Sequence, residues 1–205
     1  MPLRVKAMYE YADKIVSYLN GRFIEMFGKL KALSSFDELN LLQSVKELYR
    51  EADELTRKML YQIAVFAYEN AEGEDISAIT EQWLLEVVLE AYDPTTKYSY
   101  VNEVERKCSR LFESMMSSDN KAKEVDTALR YWSAMVTQYS IVTTDAATLR
   151  AYTDSGISEV MWVSVKDNRR CSVCKSRDGK IYPIEDVPPK PHIGCRCYLI
   201  PYSEE

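Results

Sequence analysis

Four cysteines and the only histidine lie close together near the C-terminal end of the sequence, in an order that suits metal binding. Cys171 and Cys174 form a C-x-x-C pair, and 17 residues separate Cys174 from His192, which Cys195 and Cys197 closely follow. Two thiolates on a tight turn, a hairpin-length spacer and a second group of sulfur and nitrogen donors are typical of a tetrahedral zinc site. We therefore predict bound zinc with four of the five residues as ligands. One of Cys195 and Cys197 then lies outside the ligand set, or two ligand arrangements compete.

Two other states remain open for these cysteines: a disulfide, if the protein meets an oxidising environment, and free thiols. Cys195 and Cys197, two apart on an extended chain, point the same way and could pair with Cys171 and Cys174. Catalysis is not expected, because a cysteine-rich zinc site is usually closed to substrate. The zinc deaminase signature also fails, since His192 follows the C-x-x-C and lacks the required glutamate. We predict no enzymatic activity, no catalytic residue and no small-molecule substrate.

The elements that position this cluster are predicted from periodicity and capping signals. A chain of 205 residues with 46% hydrophobic and 28% charged residues is an ordinary globular protein of one or two domains. Ser35 to Glu38 form a capping box, Gly156 is predicted to be left-handed after the last helix, and a helix break is expected in the β-branched run 141–144. The predicted helices are 3–33, 36–72, 77–92, 96–116, 121–142 and 145–155.

After Gly156 the pattern changes to short strands. Residues 160–165 alternate, residues 180–182 follow the Asp178-Gly179 turn signal, and residues 197–201 form a last strand. The predicted fold is a mainly α helical body, 1–155, followed by a small α+β Cys/His-rich metal-binding module, 156–205. A segment of this size usually requires a metal or disulfides to fold.

Charge is unevenly distributed, with a formal net charge of -6 but eight Lys and Arg against six Asp and Glu in residues 166–205. Any DNA binding is expected to be weak, nonspecific and salt-sensitive, because it would depend on a few phosphate contacts. No apolar stretch is long enough to span a membrane, and the first residues carry no signal-peptide core. The candidate phosphate-contacting residues are Arg169, Arg170, Lys175, Arg177 and Arg196.

The ordered motifs resemble the C-terminal module of the phage Mu-like head-morphogenesis family, also called minor head or minor capsid proteins. The resemblance covers about residues 140–201. It rests on 162–167 (WVSVKD), 170–174 (RCSVC), 178–180 (DGK), 188–189 (PP) and 192–197 (HIGCRC). Ile193 departs from the proline common there.

The resemblance implies a structural phage protein that acts in head morphogenesis beside the portal or capsid, with a role in DNA delivery. Such a protein is expected in the cytoplasm of an infected or lysogenic bacterium and then in the virion head. One alternative is a zinc-ribbon-like adaptor that binds nucleic acid, and another is a delivery module separated from a toxin. We expect the helical body to carry the assembly contact, since a stable interface hides about 1,600 Å².

Overall fold

Three long helices form the centre of the protein in the computed structural model, which describes residues 3–32, 37–168 and 170–203. These are α1 (Leu3–Lys31), α2 (Glu38–Asn70) and α5 (Lys121–Asp154), which pack against one another. A fourth helix, α4 (Tyr100–Ser117), lies against α2 and α5. None of the described helices is both long and apolar enough to cross a bilayer. The mainly α body predicted from periodicity is therefore confirmed.

Aromatic side chains hold the main core of the body together. The Trp132 ring meets Tyr49 edge-on at 5.2 Å between centroids and Phe23 at 5.9 Å. All three side chains are almost fully buried. Edge-to-face contacts at this distance contribute about 0.5–1.5 kcal/mol each beyond the burial of area. One tryptophan on α5 thus connects the helices that carry Phe23 and Tyr49.

The boundaries of α2 depend on two local features. Asp37 caps the helix, and its Oδ1 accepts a hydrogen bond from the Asn40 backbone N–H at 2.8 Å. Ser35, the cap predicted from the sequence, lies outside the described residues. At the other end Glu72 takes the left-handed conformation at φ 63°, and Gly73 follows directly beneath the buried ring of Tyr68.

Gly73→Ala is expected to destabilise the protein by about 1–3 kcal/mol, the usual cost of overpacking. A Cβ at this position would overlap the Tyr68 ring, which is held by its hydroxyl donating to Asp154 Oδ2 at 2.7 Å. The measurement is the free energy of unfolding in urea. Gly21→Ala is the control, because nothing lies within 4 Å of its Cβ position and alanine stabilises a helix interior by about 0.5–1 kcal/mol. Equal effects of the two substitutions would contradict the prediction.

The predicted break at residues 141–144 is wrong, because α5 runs without interruption to Asp154. The hydroxyls of Thr144 and Thr148 donate to the carbonyls four residues earlier, at 2.8 and 2.7 Å. These bonds satisfy threonine hydroxyls inside a buried helix and remove the cost of burying them. Gly156 is left-handed at φ 72° after the helix, as predicted.

Two other predicted helices are shorter than expected. The segment predicted as 77–92 contains a 3-10 turn (Ile76–Ala78), a helix α3 (Glu81–Leu84) and a π-helical turn (Leu85–Leu89). The chain becomes extended at Ile79, and Thr80 then caps α3. The helix predicted from residue 96 begins at Tyr100, because Thr95 and Thr96 are used in the turn between Asp93 and Tyr98, and Ser99 is the cap.

A small antiparallel sheet follows the helices. Its strands are β1 (Glu159–Val163), β2 (Ile181–Pro183) and β3 (Tyr198–Tyr202), in the order β2-β1-β3. One short helix, α6 (Ser172–Arg177), precedes β2 and was not predicted. A 3-10 turn (Ile184–Asp186) follows β2. The three strands confirm the predicted strand segments to within two residues.

The sheet and the helices share a second buried core. Val160 and Trp162 of β1 and Leu199 of β3 are buried in one cluster with Tyr68 of α2 and Ala151 of α5. The C-terminal half of α5 therefore forms part of the floor beneath the Cys/His segment. The proposed boundary at residue 155 remains a prediction, and it cuts through a continuous hydrophobic core.

Candidate metal centre

All five predicted ligands come together at one place beside the sheet. Cys171 is the N-cap of α6 and Cys174 lies within this helix, whereas His192, Cys195 and Cys197 lie on the loop before β3. The donor atoms form two groups, Cys171–Cys174–His192 and Cys174–Cys195–Cys197, each within 4.8 Å. Cys174 belongs to both groups and is therefore the centre of the cluster.

The separations between donor atoms fit a tetrahedral metal. Cys174 Sγ lies 3.6 Å from Cys195 Sγ and 3.7 Å from His192 Nε2. Bond lengths to zinc of about 2.3 Å for sulfur and about 2.0 Å for nitrogen place neighbouring tetrahedral ligands about 3.5–3.8 Å apart. The four cysteines of the cluster, Cys171, Cys174, Cys195 and Cys197, are not in disulfides. Each of these two separations thus suits a pair of zinc ligands, but the five donors form two groups of three, so a four-ligand site requires at least one side chain to move.

His192 is oriented for metal binding by its own backbone. Its Nδ1 lies 3.0 Å from the Ile193 carbonyl oxygen, to which a protonated Nδ1 donates. That hydrogen bond leaves the Nε2 lone pair facing the thiols, and it raises the pKa of His192. Metal-binding histidines commonly use their second nitrogen in this way.

The two cysteines of the C-x-x-C pair differ in acidity. The Cys174 backbone N–H donates to Cys171 Sγ at 3.3 Å, and this bond lowers the pKa of the Cys171 thiol to about 7. Burial raises the pKa of the Cys174 thiol to about 12. A metal must therefore displace a proton from Cys174, so binding is expected to release protons near neutral pH.

The cluster opens into a surface cavity of about 180 Å³ that has basic walls. Arg170 and Arg196 line this cavity beside Cys171, Cys174 and Cys197. Zinc with three or four thiolates carries a net negative charge, and neighbouring guanidinium groups offset that charge. The two candidate ligand groups in the described part of the chain contain only cysteine and histidine, which is typical of a structural site.

Most of the candidate phosphate-contacting residues hold the module together. Arg170 donates to Ser164 Oγ at 3.0 Å and to Asp178 Oδ2 at 3.2 Å. Arg196 pairs with Asp167. Arg177 donates to the Pro189 carbonyl at 2.6 Å and covers the Trp162 ring. Lys175 is exposed, and Arg169 lies outside the described residues.

Sequence reasoning missed a buried ion pair beneath the cluster. Lys190, 5% exposed, lies 3.1 Å from Asp145 Oδ2 and donates to the Cys197 carbonyl at 2.5 Å. The Tyr9 hydroxyl also donates to Asp145. This Tyr9–Asp145–Lys190 network connects α1 and α5 to the loop that carries three of the candidate ligands. A lysine between two prolines in the sequence gave no signal of burial.

Asp178, from the Asp-Gly turn signal, is expected to give the module a pH-dependent stability. The Ser164 backbone N–H, 2.9 Å away, and the nearby Arg170 lower the pKa of its carboxyl. The lowered pKa means that ionised Asp178 stabilises the folded state above an unfolded-state pKa of about 3.9, and that this contribution disappears as the pH falls through the folded-state pKa. The urea midpoint of Asp178→Asn should therefore lie below that of the parent protein at pH 7. The difference should shrink on acidification, and a constant difference would contradict the prediction.

Comparison with known proteins finds one family model that matches the segment containing the Cys/His cluster. A family model described as phage Mu protein F like protein matches residues 121–200, from the first residue of α5 into β3. The match confirms the resemblance to the head-morphogenesis family and begins about twenty residues before residue 140, where the resemblance read from the motifs begins. No curated protein and no solved structure matches the chain.

Proposed function

We propose that this chain, whose residues 121–200 are phage Mu protein F-like, is a structural minor head protein with a zinc-stabilised C-terminal segment. The observation that carries the proposal is the convergence of Cys171, Cys174, His192, Cys195 and Cys197 within the matched segment. When bound, zinc would crosslink α6 to the loop before β3, and this chain's own side chains orient and surround the site. The protein would act in the cytoplasm of the infected or lysogenic bacterium and then in the virion head.

The helical body is the proposed contact surface for portal or capsid protein. Large apolar side chains of the body are exposed on α1, on α2 and in the segment after α3, including Ile24 at 61%, Leu39 at 65% and Tyr92 at 66%. Isolated exposed side chains of this kind are normal on a monomer. A stable interface buries about 1,600 Å² in total, and the long helices of the body offer surfaces large enough to supply that area. Trp162 and Leu199, in contrast, are already buried against the body.

The proposal is tested by expressing the full chain together with the portal and capsid proteins of the same phage or prophage, then isolating proheads. We expect the chain to co-sediment with proheads that contain portal. The matched variants are Leu39→Lys on the body and Lys175→Glu on the C-terminal segment, both at exposed positions. Incorporation should fall for the first and persist for the second, and the reverse result would assign assembly to the C-terminal segment. Failure of the parent chain to co-sediment would overturn the head-protein proposal.

A zinc-ribbon-like nucleic-acid adaptor is the second candidate, and it is less well supported. Such an adaptor needs free cationic side chains near the metal. Arg170, Arg177 and Arg196 are instead engaged with acceptors in the protein itself. We propose that DNA contact by this segment is weak, nonspecific and salt-sensitive, and relies on few phosphates.

A further inference from the structure

A groove between α4 and α5 combines positive charge with an exposed aromatic ring, far along the chain from the metal cluster. Arg106, Lys107 and Arg110 of α4 and Tyr131 of α5 line it, and we call it the α4–α5 groove. It encloses about 240 Å³ above an apolar floor that includes Leu111. The groove thus concentrates positive charge on a chain with a net charge of -6.

The charges of this groove are only partly neutralised within the protein. Arg106 and Lys107 share one buried carboxylate, Glu103, at 3.4 and 3.1 Å. Within the described part of the helical body, Arg110 and Arg130 are the arginines that form no ion pair, whereas six others each have a carboxylate partner: Arg4, Arg22, Arg50, Arg57, Arg106 and Arg150. Arg110 is exposed at the rim and free to bind an anion.

The aromatic component is Tyr131, whose side chain is 48% exposed. Lys107 Nζ and the Arg110 guanidinium carbon each lie 5.5 Å from the centre of its ring. A ring flanked by cations can stack a nucleobase while the cations contact the adjoining phosphates. Among the described residues that line the groove, Glu124 is the carboxylate, and it accepts a hydrogen bond from Ser118 in the turn between the two helices.

We propose that the α4–α5 groove binds single-stranded nucleic acid, with a base stacked on Tyr131 and phosphates held by Arg110 and Lys107. The groove has room for about one nucleotide, and stacking requires an unpaired base, so a duplex is not the ligand. This inference is independent of the zinc site and of the head-assembly proposal, because none of its residues belongs to the metal cluster.

The test is fluorescence anisotropy of the full chain with a labelled oligothymidylate of about 15 nucleotides, at low and at physiological salt. We expect binding that weakens with salt and exceeds the binding of a duplex of equal length. Arg110→Gln and Tyr131→Leu should each weaken binding at least about fivefold, whereas Tyr131→Phe should retain it. Lys14→Gln, at an exposed position on α1, is the control for loss of one exposed charge, and Lys175→Gln tests the C-terminal segment separately.

Four results would overturn the proposal. The first is absence of oligothymidylate binding at low salt, and the second is duplex binding as strong as that of the single strand. The third is displacement of the labelled oligothymidylate by polyglutamate as effectively as by unlabelled oligothymidylate. The fourth is loss of binding with Lys175→Gln but not with Arg110→Gln. The last result would instead assign nucleic-acid contact to the metal-binding segment. Far-ultraviolet circular dichroism of each variant verifies its fold, because Arg110 and Tyr131 are exposed and their replacement should leave helix content unchanged.

Discussion

Cys174→Ser is expected to abolish zinc binding and to loosen the segment from β1 to β3. Cys174 is the one residue in both candidate ligand groups, so its loss damages either arrangement of ligands. Binding of structural zinc contributes on the order of 10 kcal/mol to small domains, which is comparable with the total stability of a protein. Native mass spectrometry of protein produced under reducing conditions should show about one zinc per parent chain and none for the variant. Hydrogen exchange should rise in α6 and β3 and remain slow around Trp132.

Cys108→Ser is the matched control, since Cys108 packs at the edge of the main core away from the cluster. It should retain the metal. Cys195→Ser and Cys197→Ser then show whether each of these two thiols is a ligand, because only loss of a ligand should release zinc. A parent protein that folds fully without metal, or that contains a disulfide among these cysteines, would contradict the prediction.

Lys190→Met is expected to destabilise the protein by about 3–5 kcal/mol, although no ligand is changed. Removal of the lysine leaves Asp145 buried without its cation, and breaking a buried pair from one side has this cost. Burial already raises the pKa of the Asp145 carboxyl, against the opposite effects of Lys190 and the Tyr9 hydroxyl. The free energy of unfolding in urea measures the loss.

A double variant separates charge from packing at this site. Lys190→Met combined with Asp145→Asn should recover much of the stability, because asparagine is neutral and can still accept the Tyr9 hydrogen bond. Lys6→Met is the control, since it breaks an exposed pair with Glu10 at 3.0 Å and should cost at most about 1 kcal/mol. A Lys190→Met effect no larger than that of Lys6→Met would show that the buried pair contributes little.

Local sequence patterns predicted the Cys/His cluster because the spacing of its residues is itself local, whereas the role of these residues as zinc ligands stays a prediction. The C-x-x-C pair fixes two thiols on one turn, and Cys195 and Cys197 are close neighbours on the second arm. Which four residues would ligate zinc depends on distances between the two arms, and no spacing in the sequence contains that information. Both candidate groups still include Cys174.

The sequence failed where long-range contacts override local preference. The β-branched run 141–144 indicates a break in isolation, but the Thr144 hydroxyl bonds back to the Ser140 carbonyl, and Thr143 and Thr144 are fully buried in a helix that packs on α1 and α2. Lys190 lies in a proline-rich stretch that is typical of an exposed loop. Its burial depends on Asp145, 45 positions earlier, and on Tyr9, much further away in the sequence.

The continuous helix α5 decides which piece of this chain could be inherited or transplanted as a unit. Its first half packs around Trp132 in the main core, and its second half, with Ala147 and Ala151, supports the sheet in the second core. A graft cut at residue 155 would leave Trp162 without the helix that covers it. A recombination boundary ahead of residue 121 preserves the support, and the matched segment begins at this same residue. Recombination at that boundary would move the sheet together with its helix.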